Sequence, residues 1–402
     1  MSGLLITSHS DSINALLVMS PPSQPKSPFI SPFASSTSTI PGHGKVVLSL
    51  LPPSIPSLTT LSYKYPLKLL TRTPITTLNS KYPDSATTPV HLYLLTYGGG
   101  LLPGDDIQVS ITLKPRTRLV VTTPQGSTKI YKTEPRGMNR GPAAPNNINN
   151  TTTPSPSKSR QTLDIRISSQ AGLYYLPDPS QPFESSQYEQ IQTFTLLRDQ
   201  PNNQPPSLCV LDWVTQGRSA RGEDWSFHSW KGRNEVWSED PLTGKRRLLL
   251  RDNVILEDEE HLDPHDQQPT TAASAGIPPP RKNHPLSIRA RTHPHGILGT
   301  LILHGPLFES LSAFMMQEFT SQPRIGGRNW SAAAPASSTV TAATTAASNK
   351  NVTWTAARVR GDFVLVKFGA TDFEAAKGWL GELMRREGSV VGEFGEEALG
   401  CL

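Results

Sequence analysis

Between Leu95 and Thr133 the chain places a glycine turn, a strict two-residue alternation and a second polar turn in direct succession: LTYGGGLLPGDDIQVSITLKPRTRLVVTTPQGSTKIYKT. Ile107, Val109, Ile111 and Leu113 share one side of an extended segment, and Gln108, Ser110, Thr112 and Lys114 share the other, the pattern of a half-buried strand. This constrains the reading of Gly98-Gly99-Gly100. A phosphate-binding glycine loop must lead into a helix whose N-terminal N–H groups face the anion, whereas here a strand follows. The Gly-Lys-Ser/Thr of a nucleotide loop is missing, and Pro103 stands where a dinucleotide fingerprint has its third glycine.

The same grammar recurs along the chain. Short β-branched or aromatic runs bounded by Gly, Pro, Asn and Asp predict strands at Lys45–Leu51, Val90–Tyr97, Ile107–Leu113, Leu119–Thr123, Lys129–Lys132, Leu163–Ser168, Phe194–Leu197, Leu208–Trp213, Glu235–Trp237, Arg247–Leu250, Leu298–Leu303 and Phe363–Phe368. No fixed-period self-similarity accompanies them. Two helices break the pattern. Leu307, Leu311, Phe314, Met315 and Phe319 recur at helical spacing after Pro306, and Thr371-Asp372-Phe373-Glu374 reads as a capping box before the stripe Phe373, Ala376, Leu380, Leu383 and Met384. Such stripes are expected to cover a sheet face or edge, the alternative being a surface offered to a partner. The fold class is therefore mainly β, a stack of sheets with two or more short helices.

Composition sets the organisation. The 402 residues include 38 prolines, nearly twice the usual share of about 5%. Much of the excess falls in Pro/Ser/Thr/Asn-rich stretches at Pro21–Pro41, Pro135–Ser159, Glu257–Pro285 and Ser331–Asn351, which hold few large apolar residues to offset ordering entropy. These are expected to be disordered. The reading is a disordered extension at 1–41 followed by one β domain at 42–402, interrupted by insertions near 135–159, 257–285 and 331–351.

The net charge of +5 is modest, and the one dense basic cluster, Lys245-Arg246-Arg247, adjoins Gly244 like a hairpin end. A nucleic-acid surface needs a longer basic stripe. The apolar run Ile13–Met19 is too short to span a bilayer and lacks a basic flank, so no membrane partner is expected. Cys209 and Cys401 are too few for a disulfide framework. A soluble, cytoplasmic protein is the expectation.

Several segments carry polar groups in suggestive company. Leu208–Trp237 interleaves Trp213, Trp225, Phe227, Trp230 and Trp237 with Asp212, Arg218, Arg221, Glu223, Asp224, Arg233 and Glu235. Charges among so many aromatic rings must be paired when buried, so Arg–carboxylate forks are expected, either as a lattice fixing two loops or as a docking face. Leu173–Gln187 carries Tyr174, Tyr175 and Asp178 between three prolines, a structural turn or a partner-facing one. His261 with His265, and His293 with His295, lie in or beside a Pro-rich insertion. A lasting metal centre needs ligands on ordered elements, so no resident metal is expected; Asp105 and Glu223 remain for a low-affinity polar path. No Gly-x-Ser-x-Gly, His-Glu-x-x-His or recognisable Cys/His pair is present. Nothing in these residues argues for catalysis. The competing class is a β-rich metal- or carbohydrate-binding domain with hydrolase activity, using two carboxylates as acid and base.

Five blocks occurring in order bring a family into view: GGGLLPGDD at 98–106, QGSTKIYKT at 125–133, YLPDPSQPF at 175–183, DWVTQGRSARGEDW at 212–225 and RNEV at 233–236, with LTTLSYKYPLKLL at 58–70 and GTLILHGP at 299–306 extending the match. In these the chain resembles the UreD (UreH) urease accessory proteins. The resemblance implies a β-helix-like body that acts without catalysis of its own, as a scaffold joining apo-urease to UreF and, through UreF, to the GTPase UreG. It also implies a polar passage along which nickel travels as cargo, with no cofactor bound stably. Carried onto the matched positions, Asp105, Thr128, Lys129, Tyr131, Tyr175, Asp178, Arg218, Arg221, Glu223 and Arg233 become candidates for passage lining or interface, with transient nickel contact at Asp105 and Glu223. Pro103 departs from the glycine that many members carry.

Overall fold

Strand β6 (Asp106–Leu113) realises the alternation: Ile107, Val109, Ile111 and Leu113 are buried while Asp106, Gln108 and Ser110 face solvent. It belongs to a computed structural model that describes residues 40–72, 88–123, 128–132, 158–198, 204–257, 287–322 and 351–402. The bulk of the insertions near 135–159, 257–285 and 331–351, most of the 1–41 extension, and His261 and His265 lie outside the described residues.

The chain winds as a coil. From β4 (Val90–Thr96) it passes through the short β5 (Gly100–Leu101) into β6; from β7 (Arg118–Thr122) through β8 (Thr128–Ile130) into β9 (Ser159–Ile167); from β10 (Gly172–Leu176) through β11 (Ser180–Pro182) into β12 (Gln187–Leu197); and from β13 (Ser207–Thr215) into β14 (Ser229–Glu239). Equivalent strands of successive turns pair in parallel: β6 with β9, β9 with β12, β12 with β14 on one side, β4 with β7, β7 with β10, β10 with β13 on the other, and β5, β8 and β11 along a narrow third side. A coil needs only repeated alternation and turns of tolerable length, which explains why no sequence period announces it.

Further strands close both ends. Beside β6 lies β1 (His43–Leu51), still parallel to it, and then β2 (Ile55–Tyr63), antiparallel to β1; beside β14 lies the antiparallel β15 (Arg246–Glu257), completing a seven-stranded sheet. On the other sheet β3 (Leu67–Arg72) flanks β4, while β16 (Ile297–His304), β18 (Phe363–Ala370) and β17 (Val352–Val359) extend beyond β13; with the third-side strands it counts eleven. The fold is mainly β with two mixed sheets, as expected.

The eleven-stranded sheet is buried on both faces, so β7, β10 and β13 show no exposed position and read as mainly apolar segments without alternation. Its inner face meets the seven-stranded sheet. Its outer face is covered by α2 (Glu309–Ser321) and α3 (Phe373–Glu387), followed by α4 (Ser389–Phe394) and the C-terminal residues; a short α1 (Ile288–Thr292) precedes β16. The rings of Phe394, Tyr174 and Phe308 form a three-cornered cluster, Phe394 lying 5.5 Å from each of the other two and those two 6.3 Å apart.

Some sequence expectations need correction. The cap of α3 is Asp372, whose carboxylate accepts the Ala375 N–H at 2.8 Å; Thr371 donates to that carboxylate instead of capping. β12, β14 and β15 run far beyond the short apolar cores that suggested them, because their inward positions include Gln190, Gln192, Asn234 and Asp252. Strands β2, β3, β5, β10, β11 and β17 were not anticipated. Ser159, placed in an insertion by composition, starts β9 and donates its hydroxyl to the Leu102 carbonyl at 2.8 Å.

Candidate functional site

The inner face of the seven-stranded sheet changes character along its width. At β1, β6 and most of β9 it presents Val46, Leu48, Ile107, Ile111, Leu163 and Ile165; at β12, β14 and β15 it presents Gln190, Gln192, Asn234 and Asp252, all buried. Strand pairing sets Gln192, Asn234 and Asp252 side by side in one row. Facing them from the other sheet is a second row, Asp212, Thr300 and Lys367, aligned across β13, β16 and β18.

Two contacts join the rows. Asn234 Nδ2 donates to Asp212 Oδ2 at 2.7 Å, and Lys367 Nζ donates to Asp252 Oδ1 at 2.6 Å. Gln190 Nε2 donates to the other Asp212 oxygen at 3.0 Å, and Tyr188 donates to Gln190 Oε1 at 3.1 Å. The result is a polar seam through what pattern alone would make an apolar core. Burial pushes the Asp212 carboxyl up to about 6, with the Asp252 charge adding to the rise and the amide hydrogen bonds opposing it. Burial, then the Asp212 charge, raises the Tyr175 phenol.

The seam reaches outward at the Asp212 end. A chamber of about 10 Å³ is lined by Thr128, Gln161, Tyr175, Asp178, Ser180, Gln190 and Asp212 among others, room for about one water. Thr123 and Asp178 border both this chamber and an outer cavity of 490 Å³, whose wall also includes Arg72, Lys377, Glu397 and Cys401. The Asp178 N–H donates to Thr123 Oγ1 at 2.6 Å, and the Cys401 thiol donates to the Thr123 carbonyl at 3.3 Å. At the far end the Lys367 side chain is 46% exposed, so polar groups run from the outer cavity to the opposite sheet edge.

The expected site residues divide into separate places. Thr128, Tyr175 and Asp178 line the inner chamber. Lys129 lies on β8 between β5 and β11, and Tyr131 donates its hydroxyl to the Gly98 carbonyl at 3.2 Å. Arg218 forks onto Glu223, with Nε to Oε1 at 2.8 Å, a further contact from Nη2, and its backbone N–H to Oε2 at 2.9 Å. The Arg–carboxylate fork expected in this segment is present. Arg221 is exposed, and Arg233 faces out beside Glu235 at 3.8 Å. Asp105 accepts the Leu102 N–H at 2.8 Å and so closes its own turn. Neither Asp105 nor Glu223 borders the two cavities.

Sequence reasoning missed Gln190, Gln192, Asn234, Asp252, Thr300 and Lys367. The available signal was a polar residue at an inward position of an alternating strand, as in Tyr188-x-Gln190-x-Gln192-x-Phe194. His293 and His295 flank a cis-proline turn, with the His295 imidazole held below its usual range by burial and then by His293. Among the described residues no three His, Cys, Asp or Glu side chains group as a metal cage, and no helix is long and apolar enough to cross a membrane.

These features define a class: a coiled, mixed-sheet β protein with a polar seam between its sheets. A profile of the UreD urease accessory proteins matches residues 54–394. The chain belongs to that family. It is 37% identical over 216 residues to "Urease accessory protein 4" of Cryptococcus neoformans, which covers 52% of this chain and 60% of the relative. It is 28% identical over 318 residues to a "ureD-like" urease accessory protein of Schizosaccharomyces pombe, covering 79% and 84%. With "Urease accessory protein D" of Arabidopsis thaliana it shares 36% over 194 residues, 48% of this chain and 53% of that one. The matched segments thus span a little over half the length of two of these three relatives.

Proposed function

We propose that this protein is a non-catalytic scaffold for urease maturation that joins apo-urease to UreF, and through UreF to the GTPase UreG, and that nickel crosses it as cargo along the seam between the sheets. One β body, 42–402, carries the insertions, and the setting is the cytoplasm. The observation that carries the reading is the row of buried polar groups from the outer cavity through Asp178, Asp212 and Asn234 to Asp252, with the half-exposed Lys367 at its end. Folding does not favour amides and carboxylates in a core, so their alignment across both sheets calls for a use.

The donor set suits transit. Carboxylate, amide and hydroxyl oxygens hold a borderline cation less firmly than clustered imidazole or thiolate, so the ion can leave. Thr128, Tyr175 and Asp178 take the lining role. Lys129, Tyr131, Arg218, Arg221 and Glu223 take the docking role at the third side of the coil; Asp105 shapes the adjoining turn, and Arg233 serves on the outer sheet face.

Deleting the gene should abolish urease activity while the urease polypeptide persists; undiminished activity would reject the assignment. Co-purification with UreF and apo-urease, followed by activation with nickel and GTP, separates the two roles. Asp178→Ala should keep the partners and lose activation, whereas Glu223→Ala should lose partners.

A further inference from the structure

The two polar rows leave an imbalance of acceptors. Asn234 Oδ1, Asp252 Oδ2 and Gln192 Oε1 are buried acceptors without a hydrogen-bond partner, against one such donor, Gln192 Nε2, in the same row. Gln192 is 0% exposed, Asn234 1% and Asp252 7%. The three are direct neighbours on β12, β14 and β15 and all point inward; adjacent strands lie about 4.8 Å apart, so the row spans roughly 10 Å. Asp212 fixes the middle member: by accepting from Asn234 Nδ2 it directs the amide's carbonyl away from itself.

Charge points the same way. Asp212 and Asp252 contribute two carboxylates, and Lys367 contributes one ammonium on Asp252. The seam therefore holds an excess of negative charge and of free oxygen acceptors, which only a donor or a cation can answer.

We infer that Asp252, Asn234 and Gln192 form an internal holding site for a divalent cation, and that the Lys367 ammonium is its built-in stand-in, displaced from Asp252 when the cation enters. One carboxylate, two amide carbonyls and completing waters make a weak oxygen-donor set, able to bind and to release. Lys367 has somewhere to go: nearly half its side chain is already exposed, so the ammonium reaches water by pivoting on its own stem. The inference deepens the passage reading and rests on it, naming the point at which the cargo pauses.

Mn²⁺ is the suitable probe, since it favours oxygen donors and its free form is counted by electron paramagnetic resonance. The full chain is expected to take up one Mn²⁺ that Asp252→Asn weakens at least tenfold. Lys367→Gln, which removes the competing ammonium, should tighten uptake at least threefold and gain more thermal stability from added Mn²⁺ than the unsubstituted protein does. Circular dichroism checks folding, and Gln192→Leu, expected to weaken uptake, replaces Asp252→Asn if that variant does not fold. A folded chain that takes up no Mn²⁺ at millimolar concentration, or that takes it up equally with and without these substitutions, overturns the site. Folded variants that have lost Mn²⁺ uptake yet activate urease fully would support the site and reject the passage, so the two ideas fail separately.

Discussion

The guanidinium of Arg218 lies 3.8 Å from the centre of the Phe183 ring, and that ring meets Tyr131 edge-on at 5.2 Å. Tyr131 follows β8, Phe183 follows β11 and Arg218 follows β13, so the three occupy the same corner in successive turns of the coil. Tyr131 reaches back to Gly98 at the preceding corner, and Glu223 locks Arg218 at the last. The blocks GGGLLPGDD, QGSTKIYKT, YLPDPSQPF and DWVTQGRSARGEDW contain the consecutive layers of one stack.

The lock should be measurable. Glu223 is 7% exposed and accepts from both the side chain and the backbone of Arg218, so Glu223→Ala leaves a charged group and a loop amide unmatched, costing about 2 kcal/mol. Urea unfolding of the two proteins checks this. Burial alone would raise the Glu223 carboxyl, but the hydrogen bonds from Arg218 hold it below the usual carboxylate range. A depressed folded pKa means the contribution is present above the unfolded value, near 4.5, and lost as pH falls through the folded one. The gap between wild type and Glu223→Ala should close in that acid window; a gap unchanged down to pH 3 would show that the ion pair does not hold the corner.

The outer layer depends on a different contact. Phe394 packs against both Tyr174 and Phe308 and is fully buried. Truncating it removes the ring that fastens α4 to the sheet, and Phe394→Ala should cost about 3–5 kcal/mol. Thermal or denaturant unfolding gives the number. Limited proteolysis should show cleavage moving into the C-terminal segment, and a loss below 1 kcal/mol would mean that the layer closes without this ring.

Both thiols should be silent in the folded state. Burial, then the nearby Asp178 charge, pushes the Cys401 thiol up to about 12, and burial pushes the Cys209 thiol well above its usual value. The thiolate is the reactive form, so Ellman's reagent at pH 8 should label neither cysteine until denaturant is added. Rapid native labelling of Cys401 would show that the C-terminal residues open away from Thr123.

How much of this was legible in the sequence varies with the physics of each part. β6 could be read at once because one of its faces is apolar and the other wet. β10 was harder: with helices on one face and a sheet on the other, Gly172–Leu176 carries no alternation. β5, β8 and β11 are two or three residues long, too short for any periodicity, and are held by their neighbours in the stack. At the candidate site Thr128, Tyr175 and Asp178 were found because they sit in dense turn blocks. Gln192, Asn234 and Asp252 were passed over because a lone polar residue in a strand normally faces water, and only strand pairing shows these three turned inward. Thr371 and Asp372 both offer a capping oxygen in the sequence, and the neighbour one residue closer to the helix caps it.

The buried carboxylate of Asp212 gives the seam a pH signature of opposite sign to that of Glu223. Its unfolded pKa lies near 4 and its folded one at about 6, so between those values the native state binds more protons than the unfolded chain. Stability attributable to Asp212 is therefore greatest below about pH 4, declines as pH rises through the folded pKa, and levels off above it. A shift of two units corresponds to about 3 kcal/mol across that window. Because carboxylates with depressed pKa values gain stability over the same range, the total curve mixes both signs, and the comparison with Asp212→Asn isolates this one. Urea unfolding from pH 4 to 7.5, with EDTA present to exclude cations, should show wild type losing stability relative to the variant by about that amount. A constant difference across the range would mean that Asp212 is solvated in the native state, and the seam would then be open to bulk water at that point.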